Sequence, residues 1–336
     1  MMRSARRIAV GLTVMWLSAC SPDAPVPAPE TAIIESQARS VEPEPAQTTP
    51  AMQKLVDDIA REGAAFPGSI AISVRPLEGG QAIAFQGDRL MPQQSVSKLW
   101  VALTAFDQAA KGALAWNERV RIMSGDLTLF YQPIEKIVAR DGAFDTNFGD
   151  LVQRALASSD NTANDRLLRR VGGPAAVRAT LEGKGLHDIR FGPGERDMQS
   201  AIAGMVWDQS FARGRVFYEQ RAMVSDATRR RALSAYISDP VDGASANAIT
   251  YALARLANGR LLPPPQTEQL LGILATTKSG PNRLKGGLAQ GWSIAHKTGT
   301  GQVFEATHTG YNDVGILTSP TGARYAVAVM IAETEL

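Results

Sequence analysis

Tyr325-Ala326-Val327-Ala328-Val329-Met330-Ile331-Ala332 is an uncharged run, rich in β-branched residues, at the far end of the sequence. It reads as a strand. Ser319-Pro320-Thr321-Gly322 before it is a turn signal, and strands are expected at Asp313 to Thr318 and Trp292 to His296. Far upstream, Ser69 to Val74 and Gln81 to Phe85 alternate as strands around Leu77-Glu78-Gly79-Gly80, a hairpin pattern. Between these ends the periodicity is helical, at Leu99 to Ala110, Leu151 to Ala157, Asn164 to Val171, Ala175 to Glu182 and Ala246 to Leu256, with Met52, Leu55, Ile59 and Ala60 marking a further helix ahead of the strands. The expectation is an α+β domain over 51–336. Both ends of the domain form one antiparallel sheet flanked by helices, and an all-helical lobe is inserted at roughly 95–280. No internal repeat and no second domain boundary interrupts it.

The first twenty residues carry Arg3, Arg6 and Arg7, a short apolar run from Ile8 to Trp16, and Leu17-Ser18-Ala19-Cys20. That is the layout of an export signal and is too short to span a bilayer. Residues 21–50 hold seven of the 19 prolines amid Ala, Glu, Ser and Thr, a composition that reads as a disordered spacer.

Lys and Arg number 35 against 33 Asp and Glu, so the net charge of +2 excludes a nucleic-acid footprint. A single cysteine excludes an internal disulfide and any thiolate metal centre, and His187, His296 and His308 are too sparse for a metal-dependent hydrolase. No metal or cofactor is expected. His296 is expected to pack or hydrogen-bond locally, and Trp100, Trp207 and Trp292 to lie in the core. Gly192-Pro193-Gly194 lacks the Gly-Lys-Ser/Thr of a phosphate loop.

Three short constellations carry the chemistry. Ser95-Val96-Ser97-Lys98 stands at a helix start, where residues i and i+3 share a face, so the amine can reach the hydroxyl and the helix N-terminus can steady an oxyanion. Ser159-Asp160-Asn161 sits between two helical segments, where it can relay a proton and hold an amide, or simply cap the next helix. His296-Lys297-Thr298-Gly299-Thr300-Gly301 enters from a strand and could bind a carboxylate, or could be a strand end with turn glycines. Each string alone is commonplace.

In this order, on strands enclosing a helical lobe, the three together resemble the class A serine β-lactamases of the penicillin-recognising superfamily. Asn161-Thr162-Ala163-Asn164-Asp165 and Gly172-Gly173-Pro174 match that family's helix and turn, Tyr131-Gln132-Pro133 resembles its aromatic gate, and Glu195 falls where its loop glutamate is expected. The resemblance implies a β-lactamase/transpeptidase-like fold and hydrolysis of penicillins or cephalosporins. It assigns Ser95 as nucleophile, Lys98 or Glu195 through water as its base, and Ser159 as donor to the lactam nitrogen. Glu195 with Gln199 would hold the deacylating water, Asn161 and Tyr131 would position substrate, and Lys297, Thr298, Gly299 and Thr300 would meet its carboxylate. Leu17-Ser18-Ala19-Cys20 separately resembles a bacterial lipobox, which implies lipidation of Cys20 and a periplasmic location anchored only through that lipid, the alternative being an ordinary cleaved signal with an incidental Cys. A monomer whose partner is the small-molecule β-lactam is expected.

Departures from the pattern are equally plain. No arginine stands two residues before Glu195, so the clasp of this loop must differ. The spacing to Lys297 implies an insertion around 206–237, which with Arg229-Arg230-Arg231 is either a lid or partner surface or a solvated helix face. In the loop after Gly301, Glu305, His308 and Thr309 stand where a carboxylate-binding arginine would be expected, and the family's helix after the last strand is not found before Leu336, so either the sheet is less covered or the sequence is truncated. The alternatives are a D,D-peptidase lacking the deacylating carboxylate, or a non-catalytic penicillin-binding lipoprotein.

Overall fold

In the computed structural model, which describes residues 49–335, the chain starts with α1 (Pro50–Ala65), capped by Thr49, whose hydroxyl accepts from Met52 N. The leader, Cys20 and most of the proline-rich spacer lie outside the described residues. β1 (Gly68–Pro76), β2 (Ile83–Phe85) and β3 (Leu90–Met91) follow, and a 3-10 turn at Gln94–Ser97 runs into α2 (Lys98–Ala110). Next come β4 (Arg119–Ile122), α3 (Ile134–Asp141), β5 (Phe144–Asn147), α4 (Phe148–Ala157), α5 (Asn161–Arg170), α6 (Gly173–Gly183) and α7 (Glu195–Ile202). The segment 206–237 is helical, containing α8 (Val216–Met223) and most of α9 (Asp226–Ser238). β6 (Ala244–Ser245), α10 (Ala246–Ala257) and α11 (Pro264–Ala275) lead back to β7 (Ser293–Gly299), β8 (Val303–Phe304), β9 (Thr307–Thr309), β10 (Asn312–Thr318) and β11 (Arg324–Thr334).

The main sheet runs β2-β1-β11-β10-β7, antiparallel throughout, with β9 added beside β11 and β8 beside β9. The uncharged run from Tyr325 to Ala332 therefore lies in its central strand. Alternation sends Ala326, Ala328, Met330 and Ala332 into the main core, where α10 packs across β1, β10 and β11. Buried Ser73 on β1 is satisfied there by Asn247 (2.8 Å) and Thr250 (2.9 Å) on α10. On the other face Ile72, Val74 and Val329 stay half-buried.

The lobe is organised around α2, in which every residue from Lys98 to Phe106 is buried. A helix enclosed on all sides must be apolar all round, and Leu99 to Phe106 meets that condition except at Thr104, whose hydroxyl donates to Trp100 O (2.8 Å). Truncating Leu103 to alanine here would cost about 2–5 kcal/mol. Lys98 is the one charged member of the buried run. Trp100 is core as expected, but Trp207 and Trp292 are only half-buried. Trp292 lies against the Tyr325 ring, whereas Trp207 packs against the core with its outer side beneath the Arg196 guanidinium.

Candidate active site

Ser95 lies in the turn before α2, which Asn312 on β10 pins by donating to Pro92 O (2.7 Å) and Gln93 O (3.0 Å). Gly299, at the end of β7, approaches the same turn so closely that a Cβ there would stand 2.3 Å from Gln93 O. Only glycine permits that contact, and it fixes the strand against the nucleophile's backbone.

Ser95, Ser159, Asn161, Glu195, Thr298 and Thr300 line one cleft of about 600 Å³. Tyr131 stands exposed at its rim, and Asn161 N donates to Tyr131 O (3.0 Å). The Ser159-Asp160-Asn161 segment divides its labour. Asp160 caps α5 through Ala163 N (2.9 Å) and receives Ile134 N (3.1 Å), while burial raises its pKa. Ser159 adopts φ +60, a left-handed conformation that costs a non-glycine residue about 1–3 kcal/mol.

That strained serine meets two buried lysines. Lys98 Nζ donates to Ser159 O (2.8 Å), Ser159 Oγ (3.3 Å) and Asn161 Oδ1; Lys297 Nζ donates to Ser159 Oγ (2.9 Å) and Thr298 O (2.9 Å). The spacing of Lys98 from Ser95 suggested an amine turned to Ser95, but the structure turns it to the Ser159 segment, which offers three acceptors to its three donors. Burial lowers the Lys98 pKa against the pull of Glu195, Asp160 and Asp165. Lys297 is held well below the usual lysine range, first by burial and then by the Lys98 charge.

Glu195, the first residue of α7, is buried and its Oε1 accepts from Asn161 Nδ2 (3.3 Å) and Gln199 Nε2 (3.1 Å). Its backbone N donates to Asp165 Oδ1 (3.3 Å), and burial followed by the Glu195 charge pushes Asp165 up to about 6. The loop carrying Glu195 closes without an arginine at its centre. Arg190 pairs with Asp239 (2.5 Å) across its ends, Arg190 N donates to Gly243 O (2.8 Å), and buried Asp242 accepts from Gln94 N (2.7 Å) and Tyr236 OH (2.9 Å).

Two features escaped the sequence reading. Arg283, from the loop before β7, donates to Thr300 Oγ1 (2.6 Å) and to the carbonyls of Gly299 (2.7 Å) and Asn312 (2.6 Å), and lies 3.7 Å over the Tyr311 ring. It brings beside Thr300 the guanidinium that the loop after Gly301 lacks. The other is the α8 wall, which brings Tyr218 and Arg221 to the cleft. His296, by contrast, pairs locally with buried Asp313 (2.8 Å).

With this geometry in view, the profile of the beta-lactamase enzyme family matches residues 53–335. The chain belongs to that family. Among curated relatives this beta-lactamase family member is 24% identical over 267 residues to beta-lactamase VEB-1 of Pseudomonas aeruginosa, covering 79% of the chain and 78% of the relative. It is 27% identical over 248 residues to extended-spectrum beta-lactamase PER-1 of the same organism (72% and 68%), and 26% over 252 residues to beta-lactamase L2 of Stenotrophomonas maltophilia (75% and 71%). Its fold is that of a beta-lactamase from Chitinophaga pinensis (TM-score 0.66, 24% identity, 84% of this chain and 91% of that one). TLA-3 extended-spectrum beta-lactamase has the same fold (TM-score 0.68, 21% identity, 84% and 91%). This is a class A serine beta-lactamase-like protein.

Proposed function

We propose that the chain hydrolyses the β-lactam amide of penicillins or cephalosporins through a Ser95 acyl-enzyme that Glu195 helps to deacylate. The observation that carries this reading is Glu195 itself, buried in the same cleft as Ser95 and accepting from Asn161 and Gln199. A peptidase of the same superfamily would have no carboxylate there to activate water.

Ser95 Oγ attacks the lactam carbonyl, its proton passing through water to Glu195, or to Lys98 in the neutral form that burial favours. The backbone N–H groups of Ser95 and Thr300 receive the oxyanion. Ser159 Oγ, held between two amines, returns a proton to the lactam nitrogen. Lys297, Thr298 and Thr300 bind the substrate carboxylate, and Arg283 is placed to join them through Thr300. Glu195 then takes a proton from water as that water attacks the acyl carbon, the bond from Ser95 Oγ to that carbon breaks, and the proton returns to Ser95 Oγ. Cys20 carries the lipid that holds this monomeric domain on the periplasmic side of a membrane, with the proline-rich segment as spacer.

The test is loss of lactam absorbance with benzylpenicillin and a cephalosporin, comparing the wild type with Ser95→Ala. Turnover by the wild type and none by the variant supports the reading; no turnover by either contradicts it.

A further inference from the structure

We propose that Arg221 on α8 is a positioning residue for Glu195, acting through the side-chain amides of Gln302 and Gln199. The inference rests on the functional reading above and adds to it a role for the helical segment 206–237.

Arg221 is half-buried, with its guanidinium 5.6 Å over the Phe217 ring and 5.3 Å over the Tyr218 ring. Among the described residues no carboxylate lies within ion-pair distance of it. Its Nη1 donates to Gln302 Oε1 (2.9 Å). A guanidinium has donors and no acceptor, so the Gln302 amide must face it with oxygen. Gln302 Nε2 is thereby turned inward, where it donates to Gln199 O (2.8 Å) and Gln199 Oε1 (3.0 Å). Gln199 Oε1 being occupied, its Nε2 faces Glu195 Oε1 (3.1 Å) and Gln94 Oε1 (2.7 Å).

The chain of donors continues beyond Gln199. Gln94 Nε2 donates to Tyr236 OH (2.6 Å), and Tyr236 OH donates to Asp242 Oδ1 (2.9 Å). The relay therefore runs one way, from a cation on α8 through three amides and a phenol to a carboxylate just after α9. Both ends belong to the segment between α7 and β6. Each amide is oriented by its neighbour, and the two ends cannot exchange roles, so Gln199 is left one orientation, with its N–H groups toward Glu195. Reversing the relay would aim Gln199 Oε1 at Glu195 Oε1, an acceptor against an acceptor.

Two variants reverse the relay, Gln302→Glu at nearly constant volume and Arg221→Glu with a shorter side chain. Gln302→Glu and Arg221→Glu each remove a donor and supply acceptors, whereas Arg221→Lys keeps a donor-only group. Burst and single-turnover kinetics with benzylpenicillin, read beside thermal unfolding of each variant, separate acylation from deacylation. We expect Gln302→Glu and Arg221→Glu to acylate Ser95 within about twofold of wild type and to deacylate about tenfold or more slowly, the scale of one lost hydrogen bond to a charged group. Arg221→Lys should restore most of the deacylation rate. Deacylation at the wild-type rate in both glutamate variants overturns the inference, as does an equal fall in acylation and deacylation, which marks general loosening. A wild type that never acylates overturns the functional reading and the inference with it, whereas normal wild-type turnover with unaffected variants overturns the relay alone.

Discussion

Lys297 Nζ donates to Ser159 Oγ at 2.9 Å, joining the last of the three motifs to the middle one across 138 residues of sequence. Lys98 reaches the same hydroxyl, so one serine is the shared acceptor of two buried amines. Removing it leaves both amines short of a partner and removes the donor assigned to the lactam nitrogen. Ser159→Ala should therefore lower kcat/KM for benzylpenicillin by about 100-fold, the low end for a proton-transfer group. Single-turnover acylation kinetics check this, and a change under threefold would contradict the role.

Arg283 contacts the Thr300 side chain and the carbonyls around it but none of Ser95, Lys98, Ser159 or Glu195. Arg283→Ala should raise KM about tenfold, with a smaller change in kcat, as for a residue that binds ground and transition state alike. Steady-state kinetics against a substrate lacking the carboxylate supply the control, since the variant should discriminate little between the two.

Gly299 packs its Cα against the turn that carries Ser95. A methyl group 2.3 Å from Gln93 O cannot be accommodated without moving β7 or the turn. Gly299→Ala should destabilise the fold by about 1–3 kcal/mol in urea unfolding and slow acylation as well. Unchanged stability would mean the strand yields more easily than its hydrogen bonds to β10 suggest.

Asp242 is pushed up to about 6 by burial, with the Glu195 charge adding to it. Its pKa is near 3.8 in the unfolded chain, so the stability its protonated form contributes is complete below that value and is lost as pH rises through about 6. The loss is at most about 3 kcal/mol. Asp242→Asn does not ionise, so the variant should gain on the wild type as pH goes from 5 to 7. Chemical unfolding at the two pH values reads the difference directly; a constant gap would show that Asp242 keeps an ordinary pKa.

The sheet was legible because its strands alternate or run apolar. β11 sends Ala326, Ala328 and Met330 inward, and β1 buries Ala71 and Ser73 on the same side. The pairs β4–β5 and β3–β6 were not legible, because strands of two to four residues carry too little pattern to register. The motif residues were legible as local strings, and the structure gathers Ser95, Ser159, Asn161, Glu195, Thr298 and Thr300 around one cleft. What escaped depends on contacts that sequence distance hides. Arg283 reaches Thr300 only because the loop before β7 folds back, and Lys98 turns from Ser95 because Ser159 and Asn161 saturate its donors. Nothing in the spacing of Arg221, Gln302 and Gln199 announces that their side chains meet.

The central claim is that Ser95 is acylated and Glu195 releases it. Intact-mass spectrometry of residues 51–336 during a penicillin time course, run beside Glu195→Ala, tests it most directly. The account predicts rapid turnover without a lasting adduct in the wild type, and a stable adduct on Ser95 in the variant. A long-lived adduct on both proteins, or none at Ser95 in either, would contradict it.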